Sequence, residues 1–478
     1  MQFFIQNALS LSAVQELQKS LAAGVSPISL SGIPHIHQAQ LLAALAPDAP
    51  ALVIVEDEPA AKRLCADINH MTGEQTALAF PSKEYALTHV EGFSRGYEHI
   101  RLGALTALMC GACRYLVASA EAALQPLPPK EFLKAATIPI QSGEDYSPED
   151  LARQLVAIGY TRSEKVEGAS QFSVRGAIFD IFPVHTDQPV RIEFWGDTAD
   201  SISFFETDSQ RRTEQIDEIL IPPAQETLCE PTVLAERIEA LAKSLRGKRA
   251  PVMKEQLLAD AEHIRSGMLP GNIDKYFPLC FAKAATLFDY TTGTVFLPEH
   301  TASLEKMRGV LAQHMEDCKI LLEDNVLCRG LDQYYLELAQ FQNLLSARKQ
   351  VYISNFLQGS DRVEYRQLLN IEALQTAPWG GEIRQLIEDL TLYCQQGYRT
   401  MVVAGTEKTL PILKSDLEES GIPCSIAEPD SICQPGCVLL MAGSLSGGGA
   451  FPENKTAVIT QTMARHTRVS TEHTPEET

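Results

Sequence analysis

A chain of 478 residues is long enough for roughly three domains. Its 45% of hydrophobic residues can bury ordinary cores, while a formal net charge of −21 argues against a long phosphate-tracking groove, because affinity for nucleic acid rests mainly on Lys and Arg neutralising the backbone. The eleven cysteines are scattered, Met1-Gln2-Phe3-Phe4-Ile5 lacks a basic start and a cleavage site, and no apolar run approaches the ~20 residues that cross a bilayer, so a cytoplasmic chain with free thiols and no membrane contact is expected.

Residues 1–125 read as α/β. The loop Ser29-Leu30-Ser31-Gly32-Ile33-Pro34-His35-Ile36-His37 lies between a short strand and a helix over Gln38–Leu45. A phosphate loop would need several glycines, a Lys for the β/γ-phosphates and a Ser/Thr for magnesium. One Gly stands here, the Lys is absent, and Pro34 lacks a donor N–H, so a loop that caps a helix is the better account. Ala51–Val55 is a continuously apolar strand, followed by a helix over Ala60–Met71, a helix over Arg101–Cys113 and the strand Tyr115–Ser119. Strands alternating with helices predict a parallel sheet. Glu56-Asp57-Glu58 fits an acidic first helical turn as well as it fits chemistry. His35-x-His37 and Cys110-x-x-Cys113 lack the further ligands of a zinc site, and the two histidines are expected to cap a turn.

Pro126, Pro128 and Pro129 punctuate the exit from this unit. From Gly159 to Arg212 the chain alternates apolar and polar residues, in Phe172/Val174, in Ile178/Asp180/Phe182, and in Arg191/Glu193 against Ile192/Phe194. Period-two alternation bounded by Gly, Pro and Asp predicts a small antiparallel sheet with one wet face. That face carries spaced charges, including Arg162, Arg175 and Arg211/Arg212, and no nucleophile, general base or metal cluster. Two or three arginines on a strand face can grip a partner's carboxylates bidentately, or can be solvated surface groups worth little. Helices are predicted over Thr232–Lys248, Lys254–Ser266 and Leu304–Asn325, with a strand at Thr294–Leu297. A last α/β unit is expected from about Tyr352, with a helix over Glu382–Gln396, strands at Thr400–Ala404, Cys437–Met441 and Ala457–Ile459, and a helix over Lys408–Ser420. Val469–Thr478 is polar and aperiodic.

GYTRSEKVEG, QFSVRGAIFDIFPV, RIEFWGD and DSISFFETDSQR together resemble domain 2 of the excision-repair protein UvrB, as it recurs in the bacterial transcription-repair coupling factors. FPSKEYALTHVEGFSRGYEHIRLGALTAL is similar to the family's domain 1a and HIRSGMLPGNIDKYFPL to its domain 1b. The resemblance implies a multidomain α/β protein: a degenerate RecA/P-loop-like domain 1a over 1–125, an inserted antiparallel β-rich domain 2 over 126–222, domain 1b over 223–350, a small α/β domain 3 over 351–465 and a linker over 466–478. Three departures from UvrB point to the coupling-factor module. The phosphate loop is degenerate, the segment between Phe80 and Arg101 is too short for a DNA-clasping hairpin, and Pro298-Glu299-His300 follows the strand where a magnesium-binding Asp-Glu pair would stand. The chain also ends before the polymerase-interacting and translocase domains of that family, as a fragment would.

The function so implied is recruitment of UvrA by a module that is not itself an enzyme and takes no cofactor or metal. RNA polymerase and double-stranded DNA would be engaged only through domains absent from this chain, and an ATPase like UvrB is the alternative. The resemblance assigns UvrA binding to Arg175 in Ser173-Val174-Arg175-Gly176, to Arg162 in Gly159-Tyr160-Thr161-Arg162, and to Phe179 as apolar neighbour, although the alternation fits a core position for Phe179 equally. Where UvrB has a second arginine, this chain has Ser173.

Overall fold

The computed structural model describes residues 1–90, 92–356 and 363–461, so the expected 466–478 linker lies outside the described residues. Four short apolar runs open the chain as β1 (Ile28–Ser31), β2 (Ala51–Val55), β3 (Ala77–Phe80) and β4 (Tyr115–Ser119). The chain then leaves for β5 (Ile138–Gln141), β6 (Thr161–Arg162), β7 (Gln171–Arg175), β8 (Ile178–Ile181), β9 (Val190–Trp195), β10 (Thr198–Phe205), β11 (Arg212–Ile216) and β12 (Glu218–Ile221). It returns with β13 (Val295–Pro298), β14 (Gln350–Ser354) and β15 (Gln367–Asn370). Order β15-β1-β14-β13-β2-β4-β3, all pairs parallel, completes a seven-stranded sheet whose central strands are buried on both faces, which explains their unbroken apolar runs.

This corrects the boundary expected at residue 351. Strands β14 and β15 pair with β1 and belong to the first sheet. Apolar runs of four or five residues do not carry the identity of their neighbour, and β14 resembles the strands that follow it as much as those before it. The last sheet begins only with β16 (Leu374–Thr376) and adds β17 (Arg399–Val403), β18 (Cys424–Ile426), β19 (Val438–Met441), β20 (Gly448–Phe451) and β21 (Thr456–Thr460), in the order β16-β20-β21-β17-β19-β18. The helices expected at 60–71, 382–396 and 408–420 are present at Glu58–Thr72, Ile383–Gln395 and Leu410–Glu419. The helix expected at 101–113 starts a turn earlier, at Gly96, and ends at Met109.

Between β4 and β13 lies a six-stranded sheet, β11-β10-β9-β8-β7-β6, antiparallel throughout except for the short parallel edge pair β6–β7, beside the two-stranded pair β5–β12. Its inner face joins one continuous core with the first sheet: Phe172, Ile181, Val190 and Ile202 cluster with Leu105, Leu116 and Leu124. The return from β12 is fixed by a buried ion network. Arg101 Nε donates to Glu226 Oε1 at 2.7 Å, Lys83 Nζ lies 2.9 Å from Glu226 Oε2, and Arg101 Nη1 donates to Gln125 Oε1 at 2.7 Å. Burial alone would raise the Glu226 pKa, but Arg101 and Lys83 outweigh it and hold the carboxyl below its ordinary range.

The last sheet docks on the first unit through β20. His37 is buried, not the turn cap expected for it, and its ring centroid lies 3.9 Å from that of Phe451. Burial lowers its pKa to about 4, so the ring is neutral at physiological pH. Gly449 makes this approach possible, because a Cβ there would stand 2.1 Å from His37 Nε2.

Candidate partner-binding site

Two of the places where polar groups surround a depression or a face contain residues that the sequence singled out. The first is a crevice of about 480 Å³ at the carboxyl ends of β2 and β13, where ligands of parallel α/β sheets ordinarily sit. His35, Gln38, Glu56, Arg63, Asp67 and Glu299 line it. Glu299 has left-handed backbone angles, φ 47° and ψ 49°, costly for a residue with a Cβ. In that conformation its Oε1 accepts from Gln38 Nε2 at 2.9 Å and from the Asn355 backbone N–H at 2.8 Å. Gln38 lies in the first turn of the helix His35–Leu45, and its side-chain amide is spent on Glu299 and on the Ile33 carbonyl, which puts an internal carboxylate beside the helix start. Nearby, Asp57 caps the helix Glu58–Thr72 by accepting from Ala60 N–H, and Glu58 accepts from the Ser82 N–H and hydroxyl. These bonds give Asp57 and Glu58 structural duties.

The second place is the outer face of the six-stranded sheet. Register lays its side chains out in rows. Ser173, Asp180, Arg191 and Ser203 stand side by side across β7, β8, β9 and β10, and Arg175, Ile178, Glu193 and Ser201 form the next row. Asp180 is almost fully buried at the centre. Arg191 grips it with two prongs, Nε to Oδ1 at 2.7 Å and Nη2 to Oδ2 at 2.8 Å, and also donates to Gln210 Oε1 at 2.9 Å. The Arg191 guanidinium covers the Phe205 ring at 4.3 Å, and its hydrogen bonds to Asp180 raise its pKa further. Arg175 places Nη2 2.9 Å from Asp180 Oδ2 and still leaves 49% of its side chain exposed. Its guanidinium is therefore oriented from below and open above.

The other residues singled out in the sequence fare differently. Phe179 faces inward, fully buried and stacked on Phe172 at 5.8 Å, so it offers nothing to a partner; the core position is the correct one. Arg162 is exposed on the edge strand, but its register partner is Phe172, which gives it the opposite parity to Arg175. The two arginines do not share a face. Ser173 is buried, and its hydroxyl donates to the Glu164 carbonyl at 2.9 Å. Arg212 pairs with Glu193. Sequence reasoning passed over Asp180 as the organising carboxylate and Trp195 as an exposed aromatic of the outer face. The alternation Val190-Arg191-Ile192-Glu193-Phe194-Trp195 contained the signal for the second.

Comparison with known proteins now bears on this face. Residues 138–226, which contain all of it, match the family model of the UvrB interaction domain. A transcription-repair coupling factor from Bacillus subtilis (strain 168) is 27% identical over 455 residues, covering 92% of this chain and 38% of that protein. Over most of its length the chain resembles the transcription-repair coupling factors. The coupling factor of Myxococcus xanthus is 32% identical over 255 residues, 51% of this chain and 21% of its own length. UvrABC system protein B of Thermotoga neapolitana is 26% identical over 313 residues, 60% of this chain and 47% of its own length. The chain thus spans less than half the length of these relatives, consistent with an amino-terminal coupling-factor region.

Proposed function

We propose that this chain is a UvrA-recruiting module for transcription-coupled excision repair, docking through the outer face around Arg175 and carrying no nucleotide chemistry of its own. The observation that carries the reading is a half-exposed arginine, pre-oriented by a buried carboxylate, within the segment matched by the UvrB interaction domain. A guanidinium held from below loses little freedom on pairing with a partner's carboxylate. Arg162, exposed on the edge strand but on the opposite side of the sheet from Arg175, lies outside this contact. In this reading the first sheet is a degenerate relative of RecA-type domains, the segment between β4 and β13 is its insert, and polymerase and DNA contacts belong to other parts of a longer cytoplasmic factor. Among the described residues no helix is long and apolar enough to cross a membrane.

Calorimetric titration with UvrA tests it. Arg175→Ala is expected to weaken binding about tenfold or more, within the range for truncating an interfacial arginine. Equal affinity for parent and variant would sink the assignment. The crevice of about 480 Å³ favours a second reading, an ATPase like UvrB. The internal Glu299 carboxylate speaks against it, and a melting temperature that does not rise with ATP and magnesium is the outcome expected.

A further inference from the structure

We propose that Trp195 is the apolar anchor of the docking face, inserting its indole into a recess of the UvrA-type partner beside the carboxylate that pairs with Arg175. The inference rests on the UvrA-docking reading and adds a residue to it. Along β9 the residues alternate inward and outward, and Trp195 takes the outward parity of Arg191 and Glu193. It is 84% exposed, whereas the chain's other tryptophan, Trp379, is buried. The outward face of an antiparallel sheet is ordinarily polar, so a bare indole there is the exception.

Its setting is that of a preformed contact. Trp195 opens the turn to β10, and the preceding Phe194 N–H donates to the Ala177 carbonyl at 2.8 Å, which sets this turn beside the Arg175-Gly176-Ala177 turn. Gly176 and Gly196 have positive φ, and a Cβ on either would meet nothing within 4 Å, so both tips are open to an incoming surface. The flanking polar groups are already ordered, Arg175 by Asp180 and Glu193 by Arg212 and Ser201. A large rigid aromatic beside an oriented arginine is the composition that dominates binding energy at protein interfaces. The half-exposed Arg175 guanidinium beside the bare indole, within the segment matched by the UvrB interaction domain, calls for a partner carboxylate next to an apolar recess.

The test uses the full chain carrying 5-hydroxytryptophan, excited where the partner's ordinary tryptophans are silent, and titrated with UvrA of the same organism. Binding is expected to remove acrylamide access to the exposed fluor. Trp195→Ala should raise Kd about tenfold, equivalent to about 1.4 kcal/mol, with melting unchanged, and Trp195→Phe should recover part of the loss. If UvrA binds and Arg175→Ala weakens it, while Trp195→Ala binds like the parent and the fluor stays quenchable, the anchor is refuted and the docking reading stands. Absence of any UvrA binding refutes both. If sedimentation shows Trp195→Ala abolishing self-association instead, the occupant is a second copy and the proposal is wrong.

Discussion

The crevice beside β2 and β13 and the outer face of the six-stranded sheet treat their polar groups in opposite ways. In the crevice, Glu299 adopts a costly left-handed backbone, and its carboxylate accepts from Gln38 and from the Asn355 backbone. Behind it, the last sheet packs Phe451 against His37. On the outer face, Asp180 is saturated by arginines, yet one of them, Arg175, keeps half its surface outside, and Trp195 stands bare at the neighbouring turn. The lesson is that a cavity of ligand size is a weaker sign of function than polar groups held in place but left incomplete. Substitutions in the closed region should cost stability and spare partner binding, and those on the face should do the reverse.

The largest effect is expected from Glu226→Gln. It leaves Lys83 and Arg101 buried without their shared carboxylate, so urea unfolding should show a loss of about 3–5 kcal/mol, while the folded fraction binds UvrA normally. The same pair predicts the acid limb of stability. With the Glu226 pKa lowered from its ordinary 4.5, its contribution is fully present above that value and is lost as pH falls through the lower folded-state pKa. A pH series of parent and variant should show the two stabilities converging in acid. Gly449→Ala comes next: the new methyl runs into His37, and overpacking of this kind costs about 1–3 kcal/mol, again with binding intact. Arg175→Ala should lose under about 1 kcal/mol of stability, because Arg191 still holds Asp180 with two bonds, yet about tenfold or more in UvrA affinity. Arg162→Ala, on the other side of the sheet, should give the smallest change, under about twofold in Kd with melting unmoved. A binding loss in Gly449→Ala as large as in Arg175→Ala would erase the distinction between the two regions.

Much of this was legible in the sequence because its signals are local. Apolar runs bounded by Gly, Pro and acidic residues gave β2 and β4, and period-two alternation gave the parity of β7 and β9. Partnership over long sequence separations was not legible. That Glu299 would turn back on Gln38, that β14 would pair with β1, or that Gly449 would admit His37 depends on contacts hundreds of residues apart. Phe179 shows the limit on the face itself: the alternation allowed it either side of the sheet, and only the register of β8 against β7 and β9 places it inside. Trp195 was readable by the same parity that placed Arg191 and Glu193 outward.

Hydrogen exchange of the full chain, alone and saturated with UvrA, tests the central claim most directly. The account predicts new protection confined to the two adjoining turns, over Ser173–Ile178 and Glu193–Thr198, with the loop Gly32–His37 and the Pro298–His300 segment unchanged. Protection at the crevice with none at the turns would contradict it.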